Sequence, residues 1–422
     1  MKRLLFAILL FIPCFVFGQN KISGFVLDSL TQKPLPFATV YVNGTTKGTI
    51  TDVNGFFNLD NITLPSTVVF SYLGYLPKAQ YVVSNSSELL IELQTNVREL
   101  SEVNITDMNL REENVRTFER MFLGEDDWGK NAIIKNDSVL MFDLSYNDKK
   151  VFVNDKIMNY IKRGVYENIS EWNEDSLYYI TQELSTFKAY ALEPLVVDLP
   201  LLGYKLNVDL VDFTIKYIGD RAQCDILGYF YYRPYDTDSK SKLKKYNKNR
   251  RLAYYNSSQH FLRSLYDNKL EQNGYKLAEA NSSSGLNIQR LVGDALGSAL
   301  GSTGNKLTES VNSAMSQGIT KFNNIQIDSY TKKTENNEMQ ISGLRDSKVL
   351  VLYYYKSDGS PLSLKSNQTS NSYYLSEIRF LKDACTFTKE GIVPDNSIIF
   401  MGEISRKRVA ACLPDDYFID ND

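Results

Sequence analysis

The chain contains 422 residues, of which 43% are hydrophobic and 23% are charged, and its formal net charge is only −3. This length predicts two or three domains, and the near-balance of charge gives no reason to expect a nucleic-acid partner. Tyrosine and phenylalanine are abundant, with 28 and 22 residues, which is typical of a β-rich protein.

The N-terminus has the features of a secretory signal peptide. Lys2 and Arg3 give it a positive start, an apolar run follows, and the small residue Gly18 precedes the expected cleavage site. We therefore expect residues 1–18 to be removed during export. No later stretch is apolar for about 18 residues, so the mature chain is predicted to contain no transmembrane segment.

Residues 19–98 alternate between short apolar stretches and turn residues, and this pattern predicts about seven strands. Asn43-Gly44 and Asn54-Gly55 are typical hairpin turns, because both residue types tolerate a positive φ. A series of short strands with frequent turns predicts a seven-stranded β-sandwich of prealbumin- or immunoglobulin-like architecture. The chain as a whole is therefore predicted to be β-rich and multidomain.

Several ordered motifs in this region carry a family resemblance. They occupy residues 22–28, 34–40, 44–49, 51–57 and 70–75. Together they resemble the carboxypeptidase-regulatory-like domain of Bacteroidota envelope proteins, the module that precedes the plug in many SusC-type transporters. The resemblance implies a β-sandwich accessory module at a cell envelope, and it does not imply peptidase activity.

Residues 99–130 are predicted to form a helical linker, with Phe118, Met121 and Phe122 on one side of the helix. Residues 100–105 resemble the segment that leads into the plug and barrel of SusC-type transporters. We expect no barrel to follow here. This departure indicates that the module belongs here to a partner of a barrel protein and not to a transporter itself.

Residues 131–422 are predicted to form a mixed α+β domain of unknown function. Strand-like alternation dominates residues 131–235 and returns from residue 338. The alternation slips by one residue between Leu210 and Val211. Such a slip predicts a bulge or bend, which would shift the apolar face of the strand.

Helices are predicted for residues 240–273, with Ser257 or Ser258 as an N-cap. Residues 281–320 are rich in glycine, serine and alanine, and they predict a helical insertion, with a flexible segment as an equal alternative. A last helix is predicted for residues 406–414.

The chain contains one histidine, His260, and this excludes every site that needs two. A zinc carboxypeptidase requires at least two histidine ligands. His260 stands at the start of an amphipathic pattern, where packing or capping is the favoured interpretation. We therefore predict a protein that is not an enzyme, with no catalytic, cofactor-binding or metal-binding residues and no cofactor.

Three cysteines lie outside the signal peptide, and an odd number cannot form a complete disulfide framework. Free thiols are the favoured interpretation for Cys224, Cys385 and Cys412. A disulfide between Cys385 and Cys412 stays open as an alternative.

Two segments are candidate interfaces. A run of aromatic residues at 229–232 is placed on both faces of a strand, so part of it is expected in the core. A basic run at 240–251 suits an anionic surface or an acidic partner, and a solvated helix face is the alternative. The candidate interface residues are Tyr229, Tyr231, Tyr232, Lys244, Lys245, Arg250 and Arg251.

These observations predict a non-enzymatic cell-envelope protein that serves as a scaffold or accessory subunit. Its expected partner is an outer-membrane β-barrel protein or its complex, such as a SusC-type transporter, a secretion machine or the barrel-assembly machinery. The alternatives are a glycan-binding surface protein and a hydrolase that uses carboxylates alone. The expected location is exported and outer-membrane-associated, on the periplasmic or the cell-surface side.

Overall fold

A computed structural model of the chain describes residues 20–84, 88–96, 108–152, 169–173, 178–219, 221–280, 322–345, 347–365 and 373–419. The predicted signal peptide and the predicted insertion at 281–320 lie outside the described residues. The internal contacts divide the chain into a first unit, Met1–Glu99, and a second unit, Leu100–Asp422. Each unit is described on its own.

The first unit is built from short strands in two sheets. The strands are β1 (Asn20–Asp28), β2 (Thr39–Val42), β3 (Gly48–Ile50), β4 (Phe56–Ile62), β5 (Ser66–Ser71), β6 (Lys78–Val82) and β7 (Leu89–Leu93). One sheet has the order β4-β1-β7 and the other has the order β3-β2-β5-β6. This arrangement confirms the predicted seven-stranded sandwich.

The alternation of β1 decides which of its residues enter the core. Ile22, Gly24 and Val26 are buried, while the residues between them are partly exposed. β1 runs parallel to β7, and Gly24 lies opposite Leu89. A Cβ atom on Gly24 would lie 1.9 Å from the carbonyl oxygen of Leu89, so only glycine allows this close approach.

The second unit contains helices as well as strands, which confirms the predicted mixed region. Its helices are α1 (Met108–Phe122), α2 (Asp127–Asn131), α3 (Lys240–Tyr254), α4 (Ser258–Tyr266) and α5 (Glu403–Arg406), and short 3₁₀ turns lie at Asp137–Val139, Ile327–Tyr330 and Val409–Ala411. Its strands are β8 (Ile133–Ile134), β9 (Leu140–Phe152), β10 (Ile169–Asn173), β11 (Tyr178–Ala191), β12 (Leu195–Leu199), β13 (Tyr204–Ile218), β14 (Arg221–Pro234), β15 (Tyr275–Ala280), β16 (Phe322–Asn324), β17 (Thr331–Lys333), β18 (Met339–Ser342), β19 (Val349–Tyr354), β20 (Tyr373–Phe380), β21 (Ala384–Phe387) and β22 (Ile398–Gly402).

These strands form one large sheet and two smaller ones. The large sheet has the order β10-β11-β13-β12-β8, with β14 added along β13 and β9 along β11. A second sheet has the order β16-β15-β19-β20-β22, and a third has the order β17-β18-β21. β19 is buried along almost its whole length, as its continuous apolar sequence predicts.

The predicted bulge in β13 is confirmed. The pairing of β13 with β14 shifts register between Leu210 and Asp212. Before the shift Leu206 and Val208 face the core, and after it Phe213 and Ile215 do. The extra residue therefore keeps the apolar side chains on one side of a long strand, which strict alternation would not allow.

The helix predicted within residues 99–130 is present as α1, but it belongs to the second unit and is not a linker. Phe118 and Phe122 are fully buried, and the ring centroid of Phe118 lies 4.6 Å from that of Phe213. The apolar side of α1 is thus part of the core formed with β13. The segment was predicted as a linker because most of its residues are polar. Most of these polar residues lie on the exposed side of the helix, and its few apolar residues are enough to pack it on the core.

Two other helix predictions are corrected. α4 ends at Tyr266 rather than near residue 273, because Asn268 adopts the left-handed conformation that terminates helices. The predicted helix at 406–414 is wrong, since only a 3₁₀ turn at Val409–Ala411 lies between α5 and the end of the described chain. The carbonyl groups of this tail are bound by a distant arginine, as described below.

Candidate functional site

The second unit carries its strongest concentration of charge on α3. The hydroxyl of Ser239 accepts a hydrogen bond of 3.4 Å from the backbone N–H of Lys242 and so caps the first turn. Lys244, Lys245 and Lys248 are exposed, whereas Ala253 and Tyr254 at the end of the helix are buried. The basic residues therefore lie on the solvent side of a helix whose other side packs on the unit.

Arg250 fixes the buried side of α3 to the turn before β13. Its Nε donates a hydrogen bond of 2.8 Å to the carbonyl oxygen of Leu202, and its guanidinium carbon lies 4.1 Å from the ring centroid of Tyr204. Asn249 donates a hydrogen bond of 2.8 Å to the carbonyl oxygen of Leu201. Arg250 was predicted as an interface residue, and the structure assigns its guanidinium to internal carbonyl groups instead.

Lys407 fixes the C-terminal end of the same helix. Its ammonium group donates hydrogen bonds to the carbonyl oxygens of Leu252, at 3.3 Å, of Ala253, at 2.6 Å, and of Tyr255. These carbonyl groups have no partner within the helix, and a cation is favoured at this end of the helix dipole. Burial lowers the pKa of Lys407 to about 8, so the ammonium form still predominates at neutral pH.

Arg263, on α4, holds the tail of the unit. Its guanidinium group donates hydrogen bonds to the carbonyl oxygens of Glu390, at 2.9 Å, of Asp415, at 2.8 Å, and of Tyr417, at 2.6 Å. Only 7% of Arg263 is exposed. Because one planar cation binds these three backbone carbonyl groups, they are not available to a helix in the tail.

Asp415 has the raised pKa that the hydrolase alternative would require of a general acid. Burial raises the pKa of its carboxyl group to about 7, against a lowering contribution from Arg263. The side chain of Gln259 donates a hydrogen bond of 3.3 Å to this carboxyl group. Packing of the tail on α4 thus explains the shift without a catalytic role.

His260 is a packed core residue. It is 4% exposed, and its Nδ1 lies 2.9 Å from the hydroxyl of Tyr275 and 3.3 Å from the backbone nitrogen of Asn256. Because a backbone N–H can only donate, Nδ1 is an acceptor and the Tyr275 hydroxyl donates to it. Burial, followed by the charges of Lys407 and Arg263, lowers the pKa of His260 to about 3, so the ring is neutral.

Ser257 provides the local reason for the position of His260. Its hydroxyl accepts a hydrogen bond of 3.0 Å from the backbone N–H of His260, which confirms Ser257 as the predicted N-cap of α4. Within the described part of the chain, no three histidine, cysteine, aspartate or glutamate residues are grouped to hold a metal ion. Cys224, Cys385 and Cys412 are free, in agreement with the favoured interpretation.

The aromatic candidates on β14 are divided between the two faces of the strand. Tyr232 is 3% exposed and packs edge-on against Tyr204, with 5.7 Å between the ring centroids. It belongs to the core and is removed from the candidate interface. Tyr229 and Tyr231 lie on the other face and are half-buried. Of the predicted basic residues, Lys244 and Lys245 are exposed and Arg251 is half-buried.

Sequence analysis did not single out Lys407 or Arg263. Both act on residues about 150 positions away in the chain, and no local pattern marks such a contact. It also missed Phe37 in the first unit, which adopts a φ of +62° and is 63% exposed. An aromatic residue is rarely found in this left-handed conformation, and its sequence context gives no sign of it.

Phe37 belongs to an exposed apolar patch of the first unit, formed by Phe37, Ile50 and Val53. The backbone N–H of Phe37 donates a hydrogen bond of 3.0 Å to the carbonyl oxygen of Thr51, the neighbour of Ile50. Ile50 and Val53 are 58% and 69% exposed. The patch thus lies on two backbone segments that are directly hydrogen-bonded to each other.

No helix in the described residues combines the length and the apolar character that crossing a membrane would require.

Comparisons with known proteins find similarity to parts of the chain. A family model described as the CarboxypepD_reg-like domain matches residues 22–105. A protein named TonB-dependent receptor P3, from Formosa agariphila, is 32% identical over 104 residues, which are 24% of this chain and 10% of that protein. The chain thus spans about a tenth of the length of the curated relative that it matches.

Two solved structures are also similar in part. A type II cohesin–X-dockerin complex from Acetivibrio cellulolyticus shares 26% identity over 18% of this chain and 58% of that chain, with a TM-score of 0.15. A protein of unknown function from Bacteroides fragilis shares 13% identity over 52% of this chain and 99% of that chain, with a TM-score of 0.16. Such TM-scores support no statement on fold or function.

The family match, the sandwich that it covers and the receptor similarity agree with the resemblance seen in the sequence motifs, and they fit a protein of a Bacteroidota cell envelope. Residues 22–105 of this chain form a domain of the CarboxypepD_reg-like family.

Proposed function

We propose that this protein is a non-enzymatic scaffold or accessory subunit of an outer-membrane barrel complex, exported to the cell envelope. The proposal is carried by the CarboxypepD_reg-like domain at residues 22–105, and it is supported by the similarity of 104 residues of this chain to part of a TonB-dependent receptor. In this chain the domain is joined to a second folded unit with its own cores. The similarity to part of a receptor supports a role for this chain beside such a protein.

The exposed apolar patch supplies the contact that such a role requires. Large apolar side chains on a surface mark interaction sites when they cluster. Phe37, Ile50 and Val53 are each more than half exposed, and the segment that carries Phe37 is hydrogen-bonded to Thr51, which lies between the other two in the chain. An aromatic anchor with aliphatic neighbours is the usual centre of a protein interface.

The backbone at Phe37 adds a second argument. A φ of +62° is unfavourable for a residue with a large side chain, by about 1 kcal/mol or more. The hydroxyl of Thr51 enforces this conformation, because it accepts a hydrogen bond from the N–H of Ala38 and donates one to the carbonyl of Leu35. A strained backbone at a residue whose side chain is exposed indicates a functional position.

The test is a pull-down of the tagged protein from envelopes dissolved in mild detergent, with mass spectrometry of the recovered proteins. We expect recovery of one outer-membrane barrel protein in stoichiometric amount. Phe37→Asn should abolish or strongly reduce that recovery. Asparagine tolerates a positive φ, so this variant removes the anchor without unfolding the sandwich.

Leu90→Thr is the matched control. Leu90 is 62% exposed on β7, in the other sheet of the sandwich, and threonine is well tolerated in strands. This variant should recover the barrel protein as the natural chain does. Recovery of the well-folded natural protein without any barrel protein would overturn the proposal, and equal recovery with Phe37→Asn would overturn the assignment of the patch.

A further inference from the structure

Four lysines form a stripe along the exposed side of α3. The lysine stripe consists of Lys240, Lys244, Lys245 and Lys248, all of them exposed. At 3.6 residues per turn these positions fall within an arc of roughly 140° and extend along about 12 Å of helix. The four ammonium groups therefore face one direction at close spacing.

The lysine stripe is electrostatically unfavourable for the helix that carries it. The first turn of α3 contains no acidic residue, although the helix dipole favours a negative charge there. Like charges four residues apart, as at Lys240, Lys244 and Lys248, destabilise a helix because they repel each other on one face. A local rule that is broken in this way indicates a functional position.

The four ammonium groups are also not used inside the described fold. The ion pairs of the described residues involve other cations, such as Lys135, Lys149 and Lys382. By contrast, Arg250 and Lys407 bind backbone carbonyl groups and fix the opposite side and the end of α3. The fold thus separates the cations that hold the helix from the cations that it presents to solvent.

We propose that the lysine stripe binds the anionic phospholipid surface of a membrane, with the helix axis parallel to that surface. A plane of phosphate groups can neutralise all four charges at once. Lysine is depleted in the cores of protein interfaces and attracts anionic membranes as a hydrated point charge, so a lipid surface fits better than an acidic protein. Leu243 and Leu252 flank the stripe and are 40% and 37% exposed, which adds apolar contact with the headgroup region.

This inference concerns a different surface from the apolar patch and does not depend on the proposed barrel partner. The test is sedimentation of the chain from Gln19 onward with vesicles of phosphatidylglycerol and phosphatidylcholine, and with vesicles of phosphatidylcholine alone. Residues 1–18 are omitted because their apolar run would bind any vesicle. Binding is expected only to the anionic vesicles, and it should weaken as salt screens the charges.

The variant Lys244→Gln, Lys245→Gln, Lys248→Gln should bind anionic vesicles roughly a hundredfold more weakly, since each lysine contributes about one kcal/mol near such a surface. Glutamine has a helix propensity similar to that of lysine, and the substitutions remove charges that repel each other, so α3 should stay folded. The control Lys205→Gln, Lys276→Gln, Lys332→Gln removes the same charge from exposed strand positions of this unit. It should bind as the natural chain does.

Two results would overturn the proposal. One is equal binding of the natural chain to both kinds of vesicle, or to neither. The other is an equal loss of binding in the stripe variant and in the control, because net charge rather than the stripe would then be responsible.

Discussion

The hydroxyl of Tyr75 donates a hydrogen bond of 2.7 Å to the carboxylate of Asp28, which ends β1. The same carboxylate accepts hydrogen bonds from the backbone N–H groups of Leu30 and Thr31 and from the Thr31 hydroxyl. These donors, led by the Thr31 backbone and then by Tyr75, lower the pKa of Asp28 from 3.8 to about 2. One carboxylate therefore joins the turn after β1 to the segment before β6.

Because of this carboxylate, we expect acid to lower the stability of the first unit. The folded-state pKa is lowered, so the stabilisation by Asp28 is complete above pH 3.8 and is lost as the pH falls toward 2. Hydrogen exchange of peptides from residues 20–96 should show this loss of protection. In Asp28→Asn the exchange should be faster at pH 6, and its dependence on pH between 4 and 2 should be weaker. If hydrogen exchange depended on pH in the same way in the natural chain and in the variant, the assignment of the acid sensitivity to Asp28 would be contradicted.

Phe37→Asn is expected to stabilise the first unit by roughly 1 kcal/mol, because asparagine adopts the left-handed conformation at a smaller cost than phenylalanine. Hydrogen exchange of the same peptides measures the change. Asn61 also has a positive φ, of +58°, so Asn61→Ala is the reverse control and should destabilise the unit. A loss of stability in Phe37→Asn would show that the phenyl ring packs on the sandwich.

Lys407→Met is expected to destabilise the second unit by about 1–3 kcal/mol, because the carbonyl groups of Ala253 and Tyr255 lose a charged donor. Both tryptophans of the chain, Trp128 and Trp172, lie in this unit, and Trp128 packs against its core, so tryptophan fluorescence follows its unfolding in denaturant.

Lys382→Met provides the comparison for Lys407→Met. Lys382 donates to Asp395 at 2.6 Å, but its side chain is 57% exposed, and such surface ion pairs contribute at most about 1 kcal/mol. If both variants lost the same stability, the cap on α3 would have no special role.

His260 and Asp415 are expected to act on stability in opposite directions. The pKa of His260 is lowered from 6.5 to about 3, so the unfolded chain binds the proton first and acid destabilises the unit between these values. The pKa of Asp415 is raised from 3.8 to about 7, so the folded chain binds the proton first and acid stabilises the unit in that range. Between pH 6 and 4.5 the two effects oppose each other.

Single variants separate these two contributions. In His260→Gln the stability measured by tryptophan fluorescence should rise as the pH falls from 6 to 4.5, and in Asp415→Asn it should fall. The natural chain should lie between them. Slopes of the same sign in both variants would show that one of the two groups keeps its ordinary pKa in the fold.

Local patterns in the sequence were sufficient for several features. The spacing of turn residues and short apolar stretches predicted the sandwich of the first unit, which the strand order confirms. The one-residue slip at Leu210 predicted the bulge of β13, and the sequence narrowed the N-cap of α4 to Ser257 or Ser258, of which Ser257 is the cap. Each of these depends on neighbours within a few residues, and periodicity reports such neighbours directly.

The roles of individual side chains depended on tertiary structure. Seven basic residues lie on α3, and composition alone could not separate Arg250, which binds the turn before β13, from Lys244 and Lys245, which face solvent. Tyr232 is in the core and Tyr231 on the opposite face of the same strand because the sheet has one covered side.

The sequence by itself determined the class of the chain, its β-sandwich and the positions of turns, bulge and cap, because backbone preferences and alternation are local properties. Only the tertiary structure decided that the tail is not helical and that α3 is capped from a distance. Lys407 and Arg263 reach carbonyl groups about 150 residues away, and hydrogen bonds between such distant segments leave no periodic trace in either one.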